Sequence, residues 1–184
     1  MRDDLLKLLV EDAYRQGDFK LSSGRKSKHY VNCKPVTLSG EGITLASLLF
    51  LELIKPDVVA VGGLTLGADP LVSGVVMSSF EVDWTQTLSG LIVRKNPKGY
   101  GTDAYIEGPI LPERSKVVVL EDVITTGGSA IKAATRLRDA GYIVDEVLSI
   151  VDRQENNEAT EFMESSNLKL QSIFTLQDIV SKYK

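Results

Sequence analysis

The sequence has one cysteine, Cys33, and one histidine, His29. A lone cysteine cannot form an intrachain disulfide, so a scaffold stapled for an oxidising compartment is excluded and a cytoplasmic location is expected. Cys33 is read as a core residue and His29 as structural at a strand edge. A basic excess is also missing: 25 Asp and Glu against 21 Lys and Arg give a formal charge of −4. That balance argues against bulk electrostatic capture of nucleic acid, so any basic site must be local. No long hydrophobic run occurs. The longest, Leu45 to Leu51, falls far short of the roughly twenty residues of a membrane helix, and no membrane partner is expected. The acidic start Met1-Arg2-Asp3-Asp4, with Lys7 interrupting Leu5 to Val10, is unlike a secretory signal and is read as the beginning of a mature helix. Internal repeats and linkers are absent too.

What remains suits one ordinary domain. The 184 residues are 43% hydrophobic and 25% charged, close to the globular average. Helical spacing of Leu5, Leu6, Leu8, Leu9 and Ala13 predicts a first helix over 3–16, closed by Gly17. A short strand is expected over 29–33, and a helix from Ser39 and Gly40 to about Lys55, where Pro56 stops it. Strands are expected over 58–61, 91–93, 117–120, 143–151 and 168–174. Helices are expected after Pro70 through Met77, over 129–140 and 157–165, and from Thr175 with Asp178. Between the strands at 58–61 and 91–93, Gly62 to Pro70 reads as a glycine-rich turn carrying Asp69 and no cation. Strands alternating with helices specify an α/β fold with a mostly parallel central sheet flanked by helices. Ligands of such sheets bind beyond the carboxyl ends of the strands, so the turns after Val61, Val93, Leu120 and Val151 should converge on one crevice.

The run Val117-Val118-Val119-Leu120-Glu121-Asp122-Val123-Ile124-Thr125-Thr126-Gly127-Gly128-Ser129 carries the clearest chemistry. Thr125, Thr126 and Ser129 supply hydroxyl donors, while Gly127 and Gly128 let backbone amides approach a phosphate at the positive end of a helix. Glu121 and Asp122, just before this anion site, are suited to accept hydrogen bonds from sugar hydroxyls. The plainer alternative is a capped strand-turn-helix link, which the paired acids disfavour. No Gly-Lys-Ser/Thr ends the turn, and the three-glycine dinucleotide fingerprint is absent.

This run resembles the phosphoribosyl pyrophosphate motif of the type I phosphoribosyltransferases. The resemblance implies that Glu121 and Asp122 hold ribose hydroxyls and that residues 123–129 hold the 5-phosphate. Three further segments resemble the orotate-using branch of that family. Arg94-Lys95-Asn96-Pro97-Lys98-Gly99-Tyr100-Gly101, closing with Ile106-Glu107-Gly108, looks like a mobile catalytic loop (94–108) whose basic residues meet the departing diphosphate. Asp152-Arg153-Gln154-Glu155 looks like the segment whose arginine holds orotate. Phe19 to Ser27, with Tyr30, looks like the orotate side of a small N-terminal hood (1–38).

By this resemblance Lys98 and Asp122 are catalytic. Arg94, Lys95, Lys98, Tyr100, residues 121–129 and Arg153 bind substrate. Mg2+ accompanies the donor, held mainly by substrate oxygens and water, so no protein metal ligand is assigned. A homodimer with shared active sites is implied. Tyr100 stands where many members have histidine, Ser22 where many have lysine, and the Gly62 to Pro70 turn lacks a lysine common in the family. Two other readings stand beside orotate transfer: a purine-salvage phosphoribosyltransferase, and a non-catalytic regulator that senses phosphoribosyl pyrophosphate.

Overall fold

The computed structural model describes residues 1–20, 26–82, 87–97, 105–154 and 158–183. The chain opens with α1 (Arg2–Leu8), which runs into a π-helical turn (Leu9–Ala13), then a hairpin of β1 (Tyr14–Lys20) and β2 (Lys26–Val31). A short α2 (Lys34–Thr37) leads to α3 (Gly40–Leu53), β3 (Ala60–Leu64), α4 (Asp69–Glu81), β4 (Ser89–Val93) and β5 (Ile106–Glu107). Then follow β6 (Val117–Ile124), α5 (Gly128–Asp139), β7 (Glu146–Asp152), α6 (Glu158–Ser165), β8 (Lys169–Thr175) and α7 (Leu176–Lys182).

The main sheet has six strands in the order β5-β4-β3-β6-β7-β8, all parallel except the β4–β5 pair. The expected α/β layering is therefore present. Strand β6 is buried along almost its whole length, and its residues alternate between two cores. Val118 and Leu120 join Phe50, Leu71, Leu148 and Phe174 on one face. Val117 and Val119 join Ala133, Leu137 and Met163 on the other. Burial on both faces is why this strand reads as a continuous apolar run rather than an alternating one.

Several boundaries differ from the sequence reading. The first helix ends at Ala13, where its apolar pattern also ends, and 14–20 pairs antiparallel with 26–31, Tyr14 opposite Val31. Pairing with a distant partner overrides local helix propensity there. Gly62 and Gly63 belong to β3 rather than to a turn. A Cβ on Gly62 would lie 3.1 Å from the Leu91 carbonyl oxygen, and one on Gly63 2.3 Å from the Ala68 side chain. These glycines mark close approach inside a central strand. Strand β6 runs on to Ile124, so Glu121 and Asp122 lie within it rather than after it. The helix caps hold as read: the Ser39 hydroxyl accepts from the Gly42 amide, and Thr175 and Asp178 form a reciprocal capping box.

Candidate active site

The carboxyl ends of β3, β4, β6 and β7 lie side by side, with Leu64 opposite Val93 and Ile124 opposite Asp152. The turns that leave β3, β6 and β7 line the depressions of the candidate site. Glu121 and residues 123–130 line one depression. Gly127 sits there at φ 81°, in the left-handed region, and its carbonyl accepts the first turn's bond from the Ile131 amide at 3.0 Å. A Cβ at Gly127 would also press on the movable tip of Met163 of α6, 2.6 Å away, but it is the turn's conformation that requires glycine. Thr126, Gly128 and Ser129 are exposed and Thr125 half-buried, leaving their polar atoms accessible to an anion at the start of α5.

Because successive residues of a strand turn to different sides, the two acids face different depressions. Glu121 lines the one above, while Asp122 lines a second with Lys34, Tyr30, Thr125 and Arg153. Burial, then the charge of neighbouring Asp122, pushes the Glu121 carboxyl well above its ordinary range, and its Oε2 has no hydrogen-bond partner within the protein. Asp122 is better served: Oδ1 accepts from the Val123 amide at 3.0 Å, and Oδ2 lies 3.5 Å from Lys34 Nζ. The turn after β3, with a cis peptide between Thr65 and Leu66, presses Gly67 against the same carboxylate; a Cβ there would be 2.6 Å from Oδ1.

Arg153 is buried beyond β7. Its amide donates to the Ile124 carbonyl at 3.0 Å, and its Nη2 donates to Ser27 Oγ at 3.0 Å and the His29 carbonyl at 3.1 Å. It therefore ties the N-terminal hairpin to the end of the sheet, a better-built position than a surface ion pair. His29 Nδ1 shares a 2.6 Å hydrogen bond with the Tyr14 hydroxyl inside that hairpin, a structural place. Cys33 is fully buried, which pushes its thiol well above its ordinary range, as a core residue requires.

In the basic segment, Arg94 Nη1 pairs with Glu107 Oε1 at 3.1 Å across the β4–β5 ladder, and Lys95 is exposed. Lys98 and Tyr100, with Gly99 and Gly101, lie outside the described residues, as do Ser22 and Glu155. Two residues with site contacts escaped sequence reasoning. Lys34 sits on a short helix that has no pattern of its own. Arg136 of α5 donates through Nη1 to the Arg94 carbonyl and through Nη2 to the Lys95 carbonyl at 3.0 Å, and stacks 3.9 Å from the Tyr105 ring centroid. It grips both stems of the 94–108 segment. A basic residue in the last turn of a helix looks like a dipole partner, so no local signal marks it.

Among the described residues no group of three or more His, Cys, Asp or Glu could cage a metal ion, and no helix is long and apolar enough to cross a membrane. The donor set present is the Glu121–Asp122 pair, with an orphaned buried oxygen on Glu121.

No protein-family model matches the chain. Curated relatives do. It is 56% identical over 180 residues to the orotate phosphoribosyltransferase of Thermosynechococcus vestitus, covering 97% of this chain and 93% of that protein. It is 52% identical over 185 residues to the enzyme of the same name from Nostoc sp., covering 100% and 87%. Among solved structures, it is similar to Mycobacterium tuberculosis orotate phosphoribosyltransferase in complex with 5-phospho-alpha-D-ribosyl 1-diphosphate. The TM-score is 0.78 and the identity 32%, over 97% of this chain and 98% of that one.

Proposed function

The chain belongs to the orotate phosphoribosyltransferase family, and from that premise we propose how its residues perform the reaction. It transfers the 5-phosphoribosyl group of 5-phospho-α-D-ribose 1-diphosphate to orotate, giving orotidine 5′-monophosphate and diphosphate in pyrimidine synthesis. The observation that carries this reading is the placement of the 123–129 anion turn, the two acids and Arg153 at one end of one sheet.

The 5-phosphate docks on the hydroxyls and amides of residues 125–129. Glu121 and Asp122 accept from the ribose hydroxyls, fixing the ring. Entry of a hydroxyl supplies the partner that Glu121 Oε2 lacks. As the C1–diphosphate bond stretches, positive charge grows on the ribose and negative charge on the leaving group. The nearby acids favour the first. Arg94, Lys95, Lys98 and the Tyr100 hydroxyl meet the second. Arg153, which lines the depression shared with Tyr30 and Asp122, supplies a charged donor for orotate's carboxylate, which orients the pyrimidine nitrogen toward C1. Magnesium fits this donor set only as a substrate-borne ion: it would be held by diphosphate and ribose oxygens and water, with the acid pair as its protein neighbours. When bound, it supplies positive charge to the diphosphate.

The assembly is a homodimer with shared sites. Supporting this, the exposed Leu38 and Leu66 line one depression with Pro70 and Ser73 of α4, and Met77 and Phe80, also exposed, follow Ser73 at helical spacing along α4. A second copy of the chain covers these residues. A free, buried cysteine supports a reducing, cytoplasmic setting.

The deciding assay incubates the protein with the phosphoribosyl donor, magnesium and either orotate or purine bases, following orotate's ultraviolet absorbance and diphosphate release. Orotate consumption is expected. Turnover of a purine alone identifies a salvage enzyme, and turnover of neither identifies a sensor.

A further inference from the structure

We infer that Lys34 is a diphosphate-binding residue, supplying from α2 the cation that the turn after β3 lacks; this rests on the reaction proposed above. The turn from Thr65 to Pro70 contains no Lys, Arg or His. Two carboxyl groups nevertheless stand at it: Asp122, pressed against Gly67, and the turn's own Asp69, whose Oδ1 is buried without a partner and whose pKa burial raises. A diphosphate entering such a corner needs positive charge beside it.

Lys34 stands at that corner. It borders the depression of Asp122, Thr125 and Arg153, and also the neighbouring one of Leu66 and Asp69. With the 5-phosphate on the 125–129 turn and the ribose hydroxyls on the acids, the group on C1 projects past Asp122 toward Gly67 and Lys34. The lysine's stem is well held. Its amide donates to Asn32 Oδ1 at 3.3 Å, Pro35 follows it, and Val36 and Thr37 of the same helix are buried.

The ammonium is not locked. It lies 3.5 Å from Asp122 Oδ2, at the long end for a hydrogen bond, and the side chain is 41% exposed. A flexible four-carbon stem with three rotatable donors can turn from the carboxylate to a phosphate oxygen while staying near both. Before binding, it offsets the acid pair. During bond cleavage, it faces the oxygens on which charge develops, and no proton need be transferred.

The competing role is purely structural, with Lys34 serving only to pin α2 against Asp122. Titration calorimetry with magnesium diphosphate separates the two, using wild type, Lys34→Ala and Lys34→Arg. About tenfold to a hundredfold weaker diphosphate binding is expected for Lys34→Ala, from loss of one charged hydrogen bond. Lys34→Arg should recover most of it. The KM for orotate, measured in parallel, should stay within about twofold of wild type, since orotate lies at Arg153. Unchanged diphosphate affinity in a folded Lys34→Ala protein overturns the inference and leaves the reaction standing. A wild type that binds diphosphate but does not consume orotate overturns the reaction instead.

Discussion

Gly67→Ala tests the site without removing any chemical group. The added methyl would lie 2.6 Å from Asp122 Oδ1 and 2.9 Å from its Cγ, where ordinary contact begins near 3.4 Å. Either the turn or the carboxylate must give by about 0.8 Å, the difference between those distances. The carboxylate is hemmed in by the Val123 amide at 3.0 Å and backed by a buried strand, so the strain is shared with the turn after β3, where the diphosphate is proposed to bind. Overpacking of this kind costs about 1–3 kcal/mol of stability. A catalytic group displaced by about 1 Å can lose on the order of 10² in rate. Backbone strain is not a confounder, because Gly67 lies outside the left-handed region. Gly40→Ala is the control: nothing lies within 4 Å of a Cβ there, at the start of α3, and that variant should match wild type in both respects. The measurements are thermal unfolding and kcat/KM for the phosphoribosyl donor. A Gly67→Ala protein with a near-wild-type melting temperature and kcat/KM within about threefold of wild type would refute the proposed role of Asp122 and the turn packed on it in the reaction.

Three further outcomes are expected. Lys98→Ala should lower turnover by about 10²–10³, as loss of one preorganised contact does; mixing it with Asp122→Asn protomers should restore activity through hybrid dimers, and no recovery despite subunit exchange would argue against shared sites. Arg136→Ala removes two carbonyl bonds and a ring contact from the stems of the 94–108 segment, so kcat should fall about tenfold, as loss of one charged hydrogen bond predicts, while phosphate binding at the 125–129 turn is kept; equal loss in phosphate affinity would mean general damage to α5. Glu121→Gln should change the pH dependence of stability. Because burial raises the folded carboxyl's pKa, the native state keeps its proton where the unfolded chain, near pH 4.3, has released it. Wild-type stability therefore falls as pH rises through the folded value. The glutamine variant should equal wild type below about pH 4 and exceed it above the folded value, and a melting-temperature difference flat from pH 4 to 8 would contradict this.

The strand-turn-helix of the candidate site was legible because its parts are contiguous. Val117 to Ser129 holds strand, acids, hydroxyls and glycines in chain order, and the fold class followed from strands apolar enough to be buried on both faces. Capping signals at Ser39 and Thr175 were equally readable, since a cap is made by residues three apart. Less legible was anything made by residues distant in the chain. Nothing within Tyr14 to Lys20 distinguishes a strand from the last turn of a helix until 26–31 lies beside it. Gly62 and Gly63 look like turn glycines until Leu91, Ala68 and Leu120 are seen to leave no room for a side chain.

The sequence by itself determined the parallel sheet and the contiguous strand, acid pair and Thr/Gly/Ser turn on which the proposed phosphate and ribose contacts rest. Only the tertiary structure decided that Glu121 and Asp122 face separate depressions, that Arg153 fastens the hairpin at Ser27 and His29, and that Lys34 and Arg136 belong to the site. The reason is distance along the chain. Lys34 meets Asp122 across 88 positions and Arg136 meets the Lys95 carbonyl across 41. Such contacts exist only after the sheet has assembled and brought its loops to one edge, so they leave no periodicity or spacing for a linear reading to detect.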